Sequence, residues 1–173
     1  MNAESVRPIL TVDIVLVTLR EGRMHIVAHK RDKAPRAGRL ALIGGYVHPA
    51  ADPAVSAAAS RVLRDKAGLA GRVLEQLMTF SGADRAPRGW SASLAYCALL
   101  PPEDLPSSPD GPSTVLPLDG ADDLPFDHDL IRAKAAERCR RRAASSSLPD
   151  FLLPPTSPFR RFAWPIKQFP AAV

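Results

Sequence analysis

Apolar positions fall into two rhythms along the chain. Residues 11–19 (TVDIVLVTL) are dense in Val, Ile, Thr and Leu and predict a strand. Glu21-Gly22-Arg23 makes a short turn, and a second apolar run follows from Met24 to Ala28, so 11–31 is expected to be a β-hairpin. Lys30 to Arg39 is basic and holds Pro35 and Gly38, which marks a loop. Leu40 to Val47 (LALIGGYV) is a third apolar run, broken by Gly44-Gly45. A glycine pair there predicts either a bulge or backbone that something approaches closely. Strands are also expected over 73–80 and 91–100, flanking the turn-rich SGADRAPRGW, with a short one over 114–118.

The second rhythm is helical. Over 54–67, Val55, Ala58, Ala59, Val62 and Leu63 form one stripe, with Asp52 as the expected N-cap, Pro53 in the first turn and Gly68 as the stop. A second helix is expected over 127–144, capped by Asp127, with a thin stripe of Leu130, Ile131, Ala135 and Cys139. The stretch 101–112 is proline-rich and irregular, and from Ser145 onward prolines 149, 154, 155, 158, 165 and 170 forbid a long regular element. Aromatics Phe151, Phe159, Phe162, Trp164 and Phe169 crowd that tail, which is expected to dock on something. The sum is a mixed β-sheet with two helices, α+β in class or an α/β/α sandwich, with a domain over 1–147 (core 11–143) and a Pro/aromatic tail over 148–173.

Composition adds three constraints. At 173 residues, with 46% apolar and 24% charged residues, the chain suits one soluble globular domain. No run approaches the ~20 apolar residues of a membrane span, and the N-terminus has no secretory pattern, so a cytoplasmic location is expected. Cys97 and Cys139 fit no metal or redox spacing and are expected to be free thiols. The net charge of +5 is unevenly placed: residues 132–173 carry nine basic and two acidic groups, whereas 1–131 carry 14 basic and 16 acidic. A high isoelectric point therefore speaks only for the C-terminal segment. Arg138-Cys139-Arg140-Arg141-Arg142 ends a helix, where basic residues complement the dipole, so no nucleic-acid partner is expected from it.

The segment Gly45 to Leu69 (GYVHPAADPAVSAAASRVLRDKAGL) resembles the signature of the Nudix family, Gly-x5-Glu-x7-Arg-Glu-(aliphatic)-x-Glu-Glu-x-Gly-(aliphatic), with two extra residues. The stretches TVDIVLVTL, AHKR, AGRLALIGGYV, DRAPRGW, LAYCALL and FDHDLIRAKAAERCRRR look like landmarks of its ADP-ribose-pyrophosphatase-like branch. That branch holds hydrolases and also regulators of NAD metabolism whose Nudix domain senses an ADP-ribose-type ligand. The resemblance implies a Nudix α/β/α sandwich, a nucleotide-type ligand, Mg²⁺ in an active enzyme and a homodimer.

Gly45, Arg61, Leu63, Gly68 and Leu69 match the signature, but its glutamates do not. Their places fall at Pro53 (with Asp52 one residue away), Val62, Asp65 and Lys66. Only Asp65 keeps a carboxylate in register, and an ammonium at Lys66 cannot coordinate Mg²⁺. Metal catalysis supplies several kcal/mol, and each ~1.4 kcal/mol is tenfold in rate. Hydrolysis is therefore expected to be weak or lost, with a pseudoenzyme that binds a nucleoside-diphosphate-linked metabolite as the first reading. An active Mg²⁺-dependent hydrolase of ADP-ribose-like substrates is the second reading, and a regulatory or nucleic-acid role through the basic segment is the third.

Arg61 and Asp65, four apart on one helix face, are the catalytic candidates, with Asp65 also the one metal candidate. Gly44, Gly45, Arg31, Arg39, Lys66, Arg85, Arg88 and Trp90 are candidates for ligand contact. For Lys66 the alternative is a solvated helix position. For Arg85, Arg88 and Trp90 it is a surface turn, and for Arg31 and Arg39 a solvated loop.

Overall fold

The protein is described here from a computed structural model, in which residues 7–105, 113–120 and 123–144 are described. Strands β1 (Ile9–Arg20) and β2 (Arg23–Lys30) form the expected hairpin. Arg20 pairs with Arg23, and both intervening residues, Glu21 and Gly22, have positive φ (52° and 74°). That twist matches the twist of the strands it joins. Strands β3 (Leu40–Ala41) and β4 (Ile43–Tyr46) follow, then helix α1 (Val55–Ala67), β5 (Glu75–Gly82), β6 (Ser91–Leu99), a 3₁₀ turn at Pro102–Asp104, β7 (Ser113–Pro117) and helix α2 (His128–Ala144).

The seven strands form one mixed sheet in the order β3-β2-β1-β6-β5, with β4 also on β1 and β7 also on β2. β1 lies parallel to β6 and antiparallel to its other partners. Its first half pairs with β4 (Thr11 with Tyr46, Ile14 with Ile43) and its second half with β2 (Val17 with Ile26). β1 and β2 thus part company midway, and the segment 40–46 fills the gap with β3 on β2 and β4 on β1.

β1 reads as an almost continuous apolar run because it is covered on both faces. Val12, Ile14 and Leu16 join Ala58, Ala59, Val62 and Leu63 of α1 on one side. Val15 and Val17 join Ile131, Ala135, Ala136 and Cys139 of α2 on the other. Each fully buried Val, Leu or Ile contributes about 1.5–3 kcal/mol of transfer free energy, so these two layers carry the fold. The result is the α/β/α sandwich the sequence predicts.

Local details differ from expectation for identifiable reasons. α1 begins at Val55 with Ala54 in the cap position and no side-chain cap, because the Asp52 carboxylate is turned elsewhere. Its end is as predicted: Gly68 at φ 68° returns its N–H to the Arg64 carbonyl. The carbonyl of Asp127 accepts the Ile131 N–H at 3.0 Å, but its carboxylate accepts from Arg85. Leu130 is 54% exposed, since the buried face of α2 is set by 131, 135 and 139 and Leu130 lies a step round the helix. Cys97 and Cys139 are free, buried thiols of the same apolar layer. No described helix is long and apolar enough to cross a membrane. The aromatic tail, the boundary near 147 and the proline-rich stretch 106–112 lie outside the described residues.

Candidate functional site

The parting of β1 and β2 makes a cleft of about 560 Å³, bounded by β4, the loop after β2, the end of α1, the loop before β6 and the start of α2. That volume suits a small-molecule ligand (typical sites span about 300–1,000 Å³). Gly44 and Gly45 form one wall. The register of β4 on β1 is regular through both, so they make no bulge. They answer a need for close approach. A Cβ on Gly44 would lie 2.1 Å from Oδ1 of Asp13, and one on Gly45 would lie 2.7 Å from Cγ2 of Val62.

Asp13 is the one charged residue in the inner part of β1, and it is buried at the base of the cleft. Its Oδ2 accepts from Arg85 Nη2 at 2.7 Å and from the Ser93 hydroxyl at 2.6 Å. Its Oδ1 faces His128 Nε2 at 3.5 Å. His128 Nδ1 accepts the Leu42 amide at 3.0 Å, so Nε2 is the ring nitrogen that carries a proton toward the carboxylate. Burial works to raise the Asp13 carboxyl, but the facing His128, the Ser93 hydroxyl and Arg85 outweigh it and hold the pKa at about 2.

Arg85 sits at the centre of this network. Its side chain is 8% exposed and also donates from Nε to Asp127 Oδ2 at 2.7 Å. One guanidinium thus ties β1 to the start of α2 through two carboxylates. Arg85 lines the cleft as a buried strut, with donors directed to Asp13, Asp127 and, at 3.4 Å, the Thr11 hydroxyl.

Arg61 and Asp65, though four apart on α1, form no ion pair with each other. Arg61 donates from Nε and Nη2 to the two oxygens of Asp52, each at 2.7 Å, and from Nη2 to the Tyr46 carbonyl at 2.9 Å. Asp52 also accepts the His48 amide at 2.7 Å. The Arg61 donors and this amide hold its carboxyl at about 2, against the opposing push of burial. A bidentate fork to a nearly buried carboxylate outcompetes a single exposed i,i+4 contact. Asp65 pairs instead with neighbouring Arg64 at 2.9 Å, at the cleft's outer edge.

Lys66, in the last turn of α1, reaches back over the glycine wall and donates from Nζ to the Gly44 carbonyl at 2.6 Å. Burial lowers the pKa of its ammonium, with Arg31 and Lys33 pushing the same way against Asp32 and Asp13. Two cation–aromatic pairs flank the opening. Arg31 lies 5.1 Å over the Phe126 ring, and Arg88 lies 6.0 Å over Tyr46 while donating to its hydroxyl at 2.7 Å. Six basic residues (Arg31, Lys33, Arg61, Lys66, Arg85, Arg88) and three acidic ones (Asp13, Asp32, Asp65) line the cleft, so it presents net positive charge.

Gly44, Gly45, Arg31, Lys66, Arg85, Arg88, Arg61 and Asp65 are therefore brought together, as their candidacy requires. Arg39 and Trp90 are not on the cleft wall. Arg39 pairs with Asp123 at 2.8 Å, and Trp90 is 44% exposed just before β6. Asp13, Tyr46, Phe126 and His128 join the site without having been singled out in the sequence.

Solved structures share this fold. A crystal structure of Shewanella oneidensis NrtR complexed with a 27mer DNA superimposes with a TM-score of 0.71 at 28% identity, over 78% of this chain and 63% of that one. The described residues share the fold of a Nudix domain. The Nudix domain of the same Shewanella protein, complexed with ADP ribose, matches with a TM-score of 0.68 at 28% identity, over 77% of this chain and 89% of that one. In sequence the chain is similar to the ADPR responsive transcriptional repressor NtrR of Acinetobacter baylyi, 31% identical over 152 residues. It spans 61% of that repressor's length, and the match covers 86% of this chain. No family model matches the sequence. The DNA-bound relative weakens the expectation that nucleic acid is no partner of such a protein.

The Nudix resemblance implies a divalent metal, and the donors in this cleft fit one poorly. Mg²⁺ asks for carboxylate oxygens in near-octahedral array. Asp13 and Asp52 are committed to arginines, and Asp65 is held by Arg64. Glu75 lies away from the cleft, paired with Arg138 and Arg142 of α2. Among the described residues no three His, Cys, Asp or Glu side chains converge on a common point.

Proposed function

We propose that this Nudix domain binds an ADP-ribose-type nucleoside diphosphate and hydrolyses it weakly or not at all. One observation carries the reading: the cleft keeps a net-positive lining with cation-backed aromatic rings, while Asp13, Asp52 and Asp65 pair with arginines and no three described His, Cys, Asp or Glu side chains converge to hold a metal. Phosphates favour such a lining because fixed cations in a partly enclosed site act through a lower effective dielectric than water. Phe126 and Tyr46 offer ring faces for a base, and Arg31 and Arg88 brace them. The ADP-ribose complex of the 28%-identical Shewanella domain supports the choice of ligand class.

Within the site, Arg61 holds the loop before α1 against that helix, and Arg85 holds β1 against α2. Both act as positioning residues, fixing the walls to which a ligand docks. The nearest group to an in-register metal ligand is Asp65, and Lys66 stands beside it with the opposite charge.

The test is an assay of AMP formation from ADP-ribose with Mg²⁺ or Mn²⁺, run beside a binding titration. Saturable binding without AMP supports the proposal. Turnover abolished by Asp65→Ala overturns it in favour of a hydrolase. A sensory role in a regulator is the second reading, favoured by the DNA-bound relative. It predicts that ADP-ribose alters a steeply salt-dependent affinity for DNA, and a flat salt response removes it.

A further inference from the structure

We propose that Lys66 is a built-in counter-ion for the diphosphate, its ammonium touching phosphoryl oxygens directly so that ligand binding needs no divalent metal. This rests on reading the cleft as a nucleoside-diphosphate site.

The geometry gives the inference its content. An ammonium has three donors, and the Gly44 carbonyl at 2.6 Å takes one of them. That contact anchors a flexible four-carbon stem over the glycine wall, where the side chain lines the cleft. Part of the ordering entropy of the stem is thereby met before any ligand arrives. Arg31 and Lys33 line the same cleft and repel the ammonium, and an anion placed among the three relieves that repulsion. A divalent cation at the Gly44 carbonyl would have to displace Lys66, and it would then find only Asp65, already paired with Arg64, on that stretch of helix. The lysine thus supplies positive charge and also excludes a competing cation. The opposing view is that Lys66 is only a favourable basic residue at a helix C-terminus. The two views differ in what its removal does to ligand.

The experiment uses calorimetric titration of the full chain with ADP-ribose and, separately, with inorganic pyrophosphate, each in EDTA and in Mg²⁺. Wild type should give the same Kd for each ligand in both buffers. Lys66→Met and Lys66→Gln should weaken both ligands by about 10- to 100-fold, the worth of a charge-assisted hydrogen bond. Lys66→Arg should keep most of the affinity, and Lys66→Glu should bind weakly in EDTA and regain affinity in Mg²⁺. Melting curves confirm that each variant is folded. Lys66→Gln keeps a neutral N–H donor on a shorter, polar side chain suited to this exposed position, so it decides the matter if Lys66→Met unfolds. Wild-type affinity that collapses in EDTA, or neutral variants that bind as wild type, overturns the inference. Pyrophosphate bound through Lys66 with ADP-ribose unbound overturns the ligand class alone and leaves the role of Lys66 standing. Binding of neither ligand overturns both.

Discussion

Arg61 clasps Asp52 through two N–H···O bonds of 2.7 Å each, nine residues back along the chain. The Asp52 side chain is only 2% exposed, so removing the guanidinium leaves a carboxylate with little water to replace it. Arg61→Ala should therefore cost about 2–4 kcal/mol. Asp65→Ala, which breaks only an exposed pair with Arg64, should stay within about 0.5 kcal/mol. Urea unfolding of both variants checks this, and equal losses would contradict the assigned pairing.

Gly44 and Gly45 differ in what their missing Cβ would strike. Gly44→Ala drives a methyl against Asp13, which Arg85 and Ser93 pin in place, so it should cost about 2–3 kcal/mol. Gly45→Ala meets the end of the Val62 side chain, and Val62→Ala should relieve most of its cost. A double-mutant cycle on Gly45 and Val62 measures that coupling, and strict additivity would contradict the packing described.

Acid should weaken the domain in a definite window. Asp13 has a pKa of about 2 when folded, against 3.8 ordinarily. The unfolded chain therefore binds more protons between those values, and stability present above pH 4 is lost as pH falls toward 2. The Asp13 share is about 2 kcal/mol. Asp52, also held at about 2, adds loss of the same sign. Urea midpoints from pH 5 to pH 2 should fall accordingly, and more shallowly in Asp13→Asn. A midpoint flat over that range would contradict the assignment.

Much of the architecture was legible along the chain because it is periodic. The dense apolar run of 11–19, the stripe from Val55 to Leu63 and the stop at Gly68 each reflect local geometry, and the structure repeats them. In the site, the motif placed Gly44, Gly45, Arg61 and Lys66 together, and the basic loops brought Arg31, Arg85 and Arg88 to the same cleft. What escaped was long-range. Arg85 meets Asp13 across 72 residues and Asp127 across 42, and no local spacing encodes either pairing. A buried Asp inside the apolar run of β1 was the available signal, since such a charge must find partners. Asp52 read as a helix cap because capping is a local rule, whereas the Arg61 fork that claims its carboxylate depends on how the loop folds back. Arg39 and Trp90 looked like their neighbours in sequence, but the turns that carry them point them away from the cleft.

The proposed function is a cleft that holds a nucleoside diphosphate while lacking the acidic cluster that would drive cleavage. It is tested most directly by titrating the full chain with ADP-ribose in Mg²⁺ and then quantifying AMP in the same sample by chromatography. The predicted result is a saturable binding isotherm with AMP no higher than in a protein-free blank. Multiple turnovers of ADP-ribose to AMP, lost in Asp65→Ala, would contradict it.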